Sequence, residues 1–529
     1  MTTVFKNFLV LIVAAVLLAS CASVKKYNSQ INTLKSAEQL KADVDYVYKR
    51  LQKLHPKLYW YISKKDLDYK FDSLKATINA PMTSNEFFFK LAPVVSSVKQ
   101  GHMRMYPLIK LLTRKETKAF NKKGGSPLSQ FTYEVLDNRL YIIKNNSSDT
   151  TIKVGSEVVS VNGIKPQEVF SKFKNTFTSD GYNRTFYSRV YGWQFSNFFY
   201  TYTGERDSVV YQLNYNDTIT NVFLKRGKRN VAKGEGKIKE KTKVEKALAK
   251  RESKNEARKK LLLGYNPQTK NYSKNLHLMV PDSSIAVMKI NDFSRGMYRQ
   301  FYRNSFKKLD SLKTKTLILD LRDNPGGRLK EIGNLYSYLA DTSFYLVDRM
   351  EVTSRSSFIL GGYTRSTPLV IKALSFTIGL PFLMVRLARV KKAENKYYFS
   401  LSESKLKQPN SKSFKGKVYV LINGGSFSAS SILSSDLKGS KRATFVGEET
   451  GGAFNGCIAG RMPIFTLPES KLKIHFGLGL IQPHFRIEQD GRGILPDVAI
   501  APTIHDRLKG NDPELNWILE DIKGQHKSE

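Results

Sequence analysis

Across residues 36–106, apolar residues recur three and four apart. Leu40, Val44, Val47 and Leu51 share one helical face, as do Leu67, Phe71, Leu74 and Ile78. Thr83-Ser84-Asn85-Glu86 has the form of a capping box and opens a third helix through Phe87, Phe88, Leu91 and Val95. This spacing predicts a helical N-terminal region over 36–106. Over 126–224 the pattern changes to strands. Arg139-Leu140-Tyr141-Ile142-Ile143 is one, and residues 154–163 form a second that ends in the Asn162-Gly163 turn, with a helix following at 166–173. From 277 onward, buried-type strands at 286–290, 316–320 and 418–422 alternate with helical stretches. The class expected is α/β, with the α/β core over 277–507 and a tail at 508–529.

Two segments break this pattern. Residues 225–274 are rich in Lys, Arg and Glu, with few apolar positions. They read as a charged insert, a solvated helix or loop outside any core. Residues 367–392 are the reverse: Ile371, Leu374, Phe376, Ile378, Leu380 and their neighbours form a long apolar stretch, broken by Pro381 and closed by Arg386, Arg389, Lys391 and Lys392. A lid or buried helix pair is the first expectation, and an amphipathic segment on a bilayer the second.

The first twenty residues change the expected location. Lys6 precedes an apolar run at 8–18, too short for a comfortable membrane span, which leads into Leu18-Ala19-Ser20-Cys21. This resembles a bacterial lipobox, in which cleavage leaves the cysteine as a lipid-bearing N-terminus; the alternative is a plain secretory signal. The expectation is a signal peptide at 1–20, lipidation at Cys21 and a tether at 21–35. The basic, acid-free stretch Ala22-Ser23-Val24-Lys25-Lys26 favours an outer-membrane lipoprotein facing the periplasm. Cys457 is then the sole remaining thiol, so no internal disulfide is available and the fold must rest on its core. The formal net charge of +40 would suggest nucleic acid in a cytosolic chain. In an exported one, anionic lipid is the expected counter-surface, through the lipid anchor and the basic insert, and no nucleic-acid partner is expected.

Candidate chemistry lies at two strand ends. Val418-Tyr419-Val420-Leu421-Ile422 runs into Asn423-Gly424-Gly425-Ser426-Phe427-Ser428, with a helix behind it. Such a corner lifts a hydroxyl above a sheet beside bare N–H groups. Asp320-Leu321-Arg322-Asp323-Asn324-Pro325-Gly326-Gly327 forms a second Gly turn between a strand and a helix. With Val446-Gly447-Glu448-Glu449-Thr450-Gly451-Gly452 and Gly493-Ile494-Leu495-Pro496-Asp497, these segments resemble, in order, the tail-specific (C-terminal-processing) and tricorn-core serine peptidases. Residues 154–163 also look like part of a PDZ domain, so 126–224 is expected to be a PDZ-like module. The resemblance implies a ClpP/crotonase-like peptidase core.

Carried over residue by residue, the resemblance makes Ser428 the nucleophile and places the oxyanion hole at the Ala429 N–H with a glycine N–H from Gly326 or Gly327. Where the Ser–Lys branch has its lysine, this chain has Ala453. The tricorn-like branch uses a histidine in an Asp-Gly-His motif instead. Gln100-Gly101-His102 matches with Gln for Asp, which makes His102 the general base. The serine that precedes the histidine in the tricorn core is replaced by Gly101. An acidic third member is expected at Asp490, with Glu488 as rival; His475 and His484 are weaker substitutes for the base. No His, Cys or Asp cluster has metal-ligand spacing, and no cofactor is expected. The function implied is a lipid-anchored periplasmic serine endopeptidase that takes peptides or unfolded segments. The alternative is an inactive peptide-binding or scaffold lipoprotein, motivated by Gln100 and by Ser431 where relatives usually carry Glu. A minor third reading is a membrane-surface binding protein.

Overall fold

The structure, a computed structural model, describes residues 24–227, 243–267, 269–279, 283–361 and 379–525. The expected signal peptide and Cys21 lie outside the described residues. A short helix, α1 (Val24–Asn32), precedes α2 (Ala37–Leu54), α3 (Lys64–Ala76) and α4 (Ser84–Ser96). Ser36 with Gln39, and Thr83 with Glu86, form complete capping boxes that satisfy N–H groups left over at each helix start. The periodic residues Leu40, Val44, Val47, Leu51 and Leu67 are fully buried. The region does not stay helical to its end: it closes with a strand, β1 (Arg104–Tyr106), whose partner comes from the far end of the chain.

Next comes a five-stranded antiparallel sheet of consecutive strands: β2 (Phe131–Leu136), β3 (Arg139–Asn145), β4 (Glu157–Val161), β5 (Ser208–Tyr215) and β6 (Thr218–Lys225). The expected helix, α5 (Pro166–Phe173), is present. A second helix, α6 (Thr185–Thr203), falls where strands were expected. Its run of Phe, Tyr and Trp favours strands by propensity. Packing decides otherwise, because Phe195 and Phe199 are fully buried and the helix lies against β2 and α5.

Within the charged insert, α7 (Lys243–Leu263) exposes residues 251–261, while Leu262 and Leu263 pack on the core; residues 228–242 and 268 lie outside the described ones. The insert's last residue, Lys274, is fully buried and opens β7 (Lys274–Leu278). Its ammonium bonds the Arg295 carbonyl at 2.8 Å and sits 3.8 Å from the Tyr298 ring centre. The 225–274 boundary therefore runs one residue into the core sheet.

That sheet continues with β8 (Ile285–Ile290), then α8 (Tyr298–Ser311), β9 (Thr316–Asp320) and α9 (Leu329–Ser337). A side sheet contains β10 (Met350–Val352), β11 (Val390–Ala393) and β12 (Lys396–Phe399), with α10 (Leu380–Ala388) before β11. Of the apolar 367–392 segment, 367–378 lie outside the described residues. In α10, Met384 and Val385 are exposed. The main chain returns with β13 (Lys417–Ile422), α11 (Ala429–Gly439) and β14 (Thr444–Gly447). After β15 (Cys457–Ala459) come β16 (Ile464–Thr466), β17 (Lys473–His475), β18 (Gly479–Ile481) and β19 (Val498–Ala499). The main sheet runs β19-β14-β13-β9-β8-β7, parallel except at β7. Every residue of β9 is buried, as expected of a parallel strand covered on both faces.

Three joints bind the parts. β1 pairs with β17 in the three-stranded sheet β1-β17-β16. Arg189 of α6, buried, bridges Glu134 of β2 at 2.6 Å and Glu448 beyond β14, and Arg507 reaches the same Glu134 at 2.9 Å. The expected tail contains α12 (Pro513–Gln525), whose Ile518 and Ile522 cover Ile318, Tyr419, Leu421 and Val446 on one face of the main sheet. Among the described residues no helix is long and apolar enough to cross a membrane.

Candidate active site

The site forms where β9 and β13 end side by side. Asn423 Oδ1 accepts from the N–H groups of Asp323 and Gly425, each at 2.9 Å, and the Phe427 N–H donates to the Asn324 carbonyl at 2.9 Å. The two turns are thereby locked together. Ser428 is the N-cap of α11 and has φ 57°, ψ −122°. A serine held there costs on the order of 1–3 kcal/mol and persists only where its surroundings enforce it. Its hydroxyl is half-buried, and His102 Nε2 lies 3.0 Å from Ser428 Oγ.

Phe427 explains how a residue 326 positions away is held there. Its ring lies 4.9 Å from the His102 ring and stacks on Phe186 at 4.7 Å. A Cβ at Gly101 would sit 2.6 Å from Phe427 Cζ, so the serine of the tricorn core has no room here. Burial pushes the His102 imidazole down to about 4, with His475 and Arg104 nearby adding to the shift. It is therefore neutral at neutral pH.

The glycine turn faces the nucleophile. A Cβ on Gly326 (φ 96°) would meet the Ala429 nitrogen at 2.7 Å and Ser428 Cβ at 2.8 Å. Of the two candidate donors, the Gly326 N–H is already taken by Asn324 Oδ1 at 2.9 Å. Gly327 bridges Phe293 through its neighbours' polar groups, Gly326 O and Arg328 N, which turns its own N–H to the other side. The Ala429 N–H, at the first position of α11, has no intrahelical acceptor. With the Gly326 N–H taken, the Ala429 and Gly327 N–H groups are left as the candidates for an oxyanion.

The structure does not bring the remaining expected groups to His102. The Asp490 carboxylate accepts from Trp60 Nε1, from Asn455 Nδ2 at 3.2 Å and from the Gly491 N–H at 2.9 Å. Glu488 is exposed. His102 Nδ1 is buried without a hydrogen-bond partner, as are both polar atoms of the Gln100 side chain. The expected Asp490–His102 hydrogen bond is therefore absent, because Asp490 is spent on fastening the 55–62 turn to the 455 and 491 loops. Ala453, which stands where the Ser–Lys branch has its lysine, is buried. His475 is beside Tyr106 and His484 beside Asp348; neither bonds Ser428. Among the described residues no group of His, Cys, Asp and Glu is arranged to hold a metal ion.

A further carboxylate, Asp180, supports the site. Asp180, 1% exposed, lies in the polar loop between α5 and α6. Its Oδ1 accepts from the Gly101 N–H at 2.7 Å, the Gly181 N–H donates to the Lys99 carbonyl at 2.9 Å, and the Ala453 N–H also turns to the Asp180 carboxylate. It clamps the backbone on which His102 stands. Burial raises its carboxyl to about 7, against the lowering effect of those two N–H groups. In the sequence Thr-Ser-Asp-Gly reads as a solvated turn.

Residues 284–500 match the model of peptidase family S41. Over that stretch the chain is similar to the S41 family, and the class this supports is a serine-type peptidase. The whole fold resembles mature CPAF. In its complex with lactacystin the TM-score is 0.60 at 14% identity, over 93% of this chain and 99% of that one. The mature protein alone gives 0.56 at 14% identity, over 90% and 95%. At such identities the likeness speaks for the fold. No curated protein matches.

Proposed function

We propose that the chain is a serine endopeptidase in which Ser428 attacks the scissile carbonyl and His102 is the general base. The carrying observation is the 3.0 Å contact between His102 Nε2 and Ser428 Oγ, within hydrogen-bond reach of the proton to be moved. His102 takes the Ser428 proton and returns it to the leaving amine. The base must carry its own proton on Nδ1, leaving Nε2 to accept. The Ala429 and Gly327 N–H groups receive the oxyanion of the tetrahedral intermediate. In this scheme a neutral, buried histidine needs no adjoining carboxylate to be in the basic form at neutral pH; the backbone clamp at Asp180 and the Phe427 ring hold its place. No residue of this scheme calls for a cofactor.

The N-terminal sequence supports the location: an exported lipoprotein anchored at Cys21, at the outer membrane and facing the periplasm. Peptides or unfolded segments are its substrates, and the sheet over 126–224 is the PDZ-like module. An inactive scaffold is the second reading, favoured by the partnerless His102 Nδ1. Hydrolysis of an unfolded protein such as casein separates the two. The peptidase reading expects cleavage by the wild type and none by Ser428→Ala with an unchanged thermal transition; cleavage surviving in Ser428→Ala removes this serine from the mechanism.

A further inference from the structure

The sheet β1-β17-β16 has one face in the core, through Met105, Ile474 and Phe465, all buried. Its other face, bearing Arg104, Tyr106, Lys473 and Ile464, is the floor of a cleft of about 540 Å³. The opposite wall comes from α6 and the loop before it, through Phe177, Val190 and Phe198. Phe177 and Val190 share a cluster with Phe427, the residue before the nucleophile, and Arg104 follows His102 by two positions. The cleft's floor therefore begins two residues from the base of the dyad, close enough for the Arg104 charge to act on His102.

Its chemistry is one-sided. The lining is mostly aliphatic and aromatic, and among the described residues no carboxylate lines it or pairs with its two cations, Arg104 and Lys473. Strand β1 is at the edge of its sheet, and among the described residues no strand pairs with its other side. An apolar trough with cationic floor residues beside an open strand edge fits an extended chain: the main chain bonds the edge, an apolar side chain fills the trough, and a neighbouring carboxylate meets the cations.

Resting on the peptidase reading above, we infer that this cleft is the substrate's specificity site, and that it takes extended peptides with a bulky apolar residue, Leu or Phe, flanked by Asp or Glu. An apolar pocket discriminates by side-chain size over about 10- to 200-fold, so a preference in that range is expected. The rival occupant is a fatty acid, which shares the apolar chain and the carboxylate.

The test has two readouts. Fluorescein-labelled decapeptides with a central Leu-Glu, Asn-Glu or Leu-Lys pair are titrated against Ser428→Ala, which binds without turnover. Quenched versions are assayed with the wild type. Both are repeated in Lys473→Glu and Ile464→Glu, two exposed positions whose replacement leaves the core intact. The Leu-Glu peptide should bind at least 10-fold more tightly than the Asn-Glu peptide. Ile464→Glu should remove that gap, and Lys473→Glu should reverse the preference between Leu-Glu and Leu-Lys. Equal binding of all three peptides, or preferences untouched by both substitutions, overturns the inference. So does displacement by oleate from a site that shows no preference among the peptides. Peptide preference in binding without hydrolysis by the wild type upholds the cleft and sinks the peptidase reading instead.

Discussion

Gly101→Ala probes the whole support of the dyad with one methyl group. The backbone there needs no glycine conformation, so the effect is purely one of space. The new Cβ would lie 2.6 Å from Phe427 Cζ and 2.9 Å from Cε2. Carbon atoms rest comfortably at about 3.5 Å, so the ring must move by roughly 1 Å. It cannot simply retreat: Phe186 is stacked on it at 4.7 Å and its own backbone leads into the strained Ser428. Nor can the glycine withdraw, because its N–H is held by Asp180 at 2.7 Å. Overpacking of this kind costs about 1–3 kcal/mol of stability. A misplacement of about 1 Å in a reacting pair costs on the order of 10²-fold in rate. The assay is kcat on a quenched peptide beside a thermal melt. A loss near 10²-fold with a modestly lowered Tm is expected, and adding Phe427→Leu, which makes room, should return part of it. A Gly101→Ala protein with wild-type kcat would refute the claim that Phe427 positions His102.

Three further outcomes follow from the same geometry. The acid limb of kcat/KM should fall near pH 4, since activity needs neutral His102 and is lost as pH drops through its lowered pKa; a limb at 6.5 or above would place the base in water or elsewhere. Asp180 titrates near 7 folded and near 4 unfolded, so the folded state binds the extra proton between these values, and the group's contribution to stability is lost as pH rises from about 4 through 7. Asp180→Asn, which keeps an oxygen for the Gly101 N–H, should flatten that slope in Tm measured from pH 5 to 8.5, and an unchanged slope would mean the carboxyl is not the titrating group. His102→Ala should cost on the order of 10⁴-fold in kcat; an undiminished rate would exclude it as the base.

Much of this site could be read from the chain, because its parts lie on local signals. The apolar run 418–422 into a Gly turn marks a strand end, and the Ser428 corner follows from it. His102 was reached only through a resemblance, as nothing local distinguishes a histidine after a helix. The misreadings share a cause. Asp180 belongs to a loop whose polar letters signal solvent, yet its partners, Gly101 and Ala453, come from both sides of it in sequence. Helix α6 is built from residues that prefer strands and is held by burial of Phe195 and Phe199. Asp490 sits at the expected spacing before the Pro496-Asp497 motif, but spacing carries no direction, and its carboxylate turns to Trp60. Long-range pairing of β1 with β17 was equally invisible, since three residues make no period.

The central claim is that His102 activates Ser428. A serine-directed fluorophosphonate, followed by peptide mapping of the wild type and of folded His102→Ala, tests it most directly. The account predicts a single label on Ser428 in the wild type, formed faster above pH 4 than below, and a rate reduced by orders of magnitude in His102→Ala. Label on another serine, or equal labelling of Ser428 in the two proteins, would contradict it.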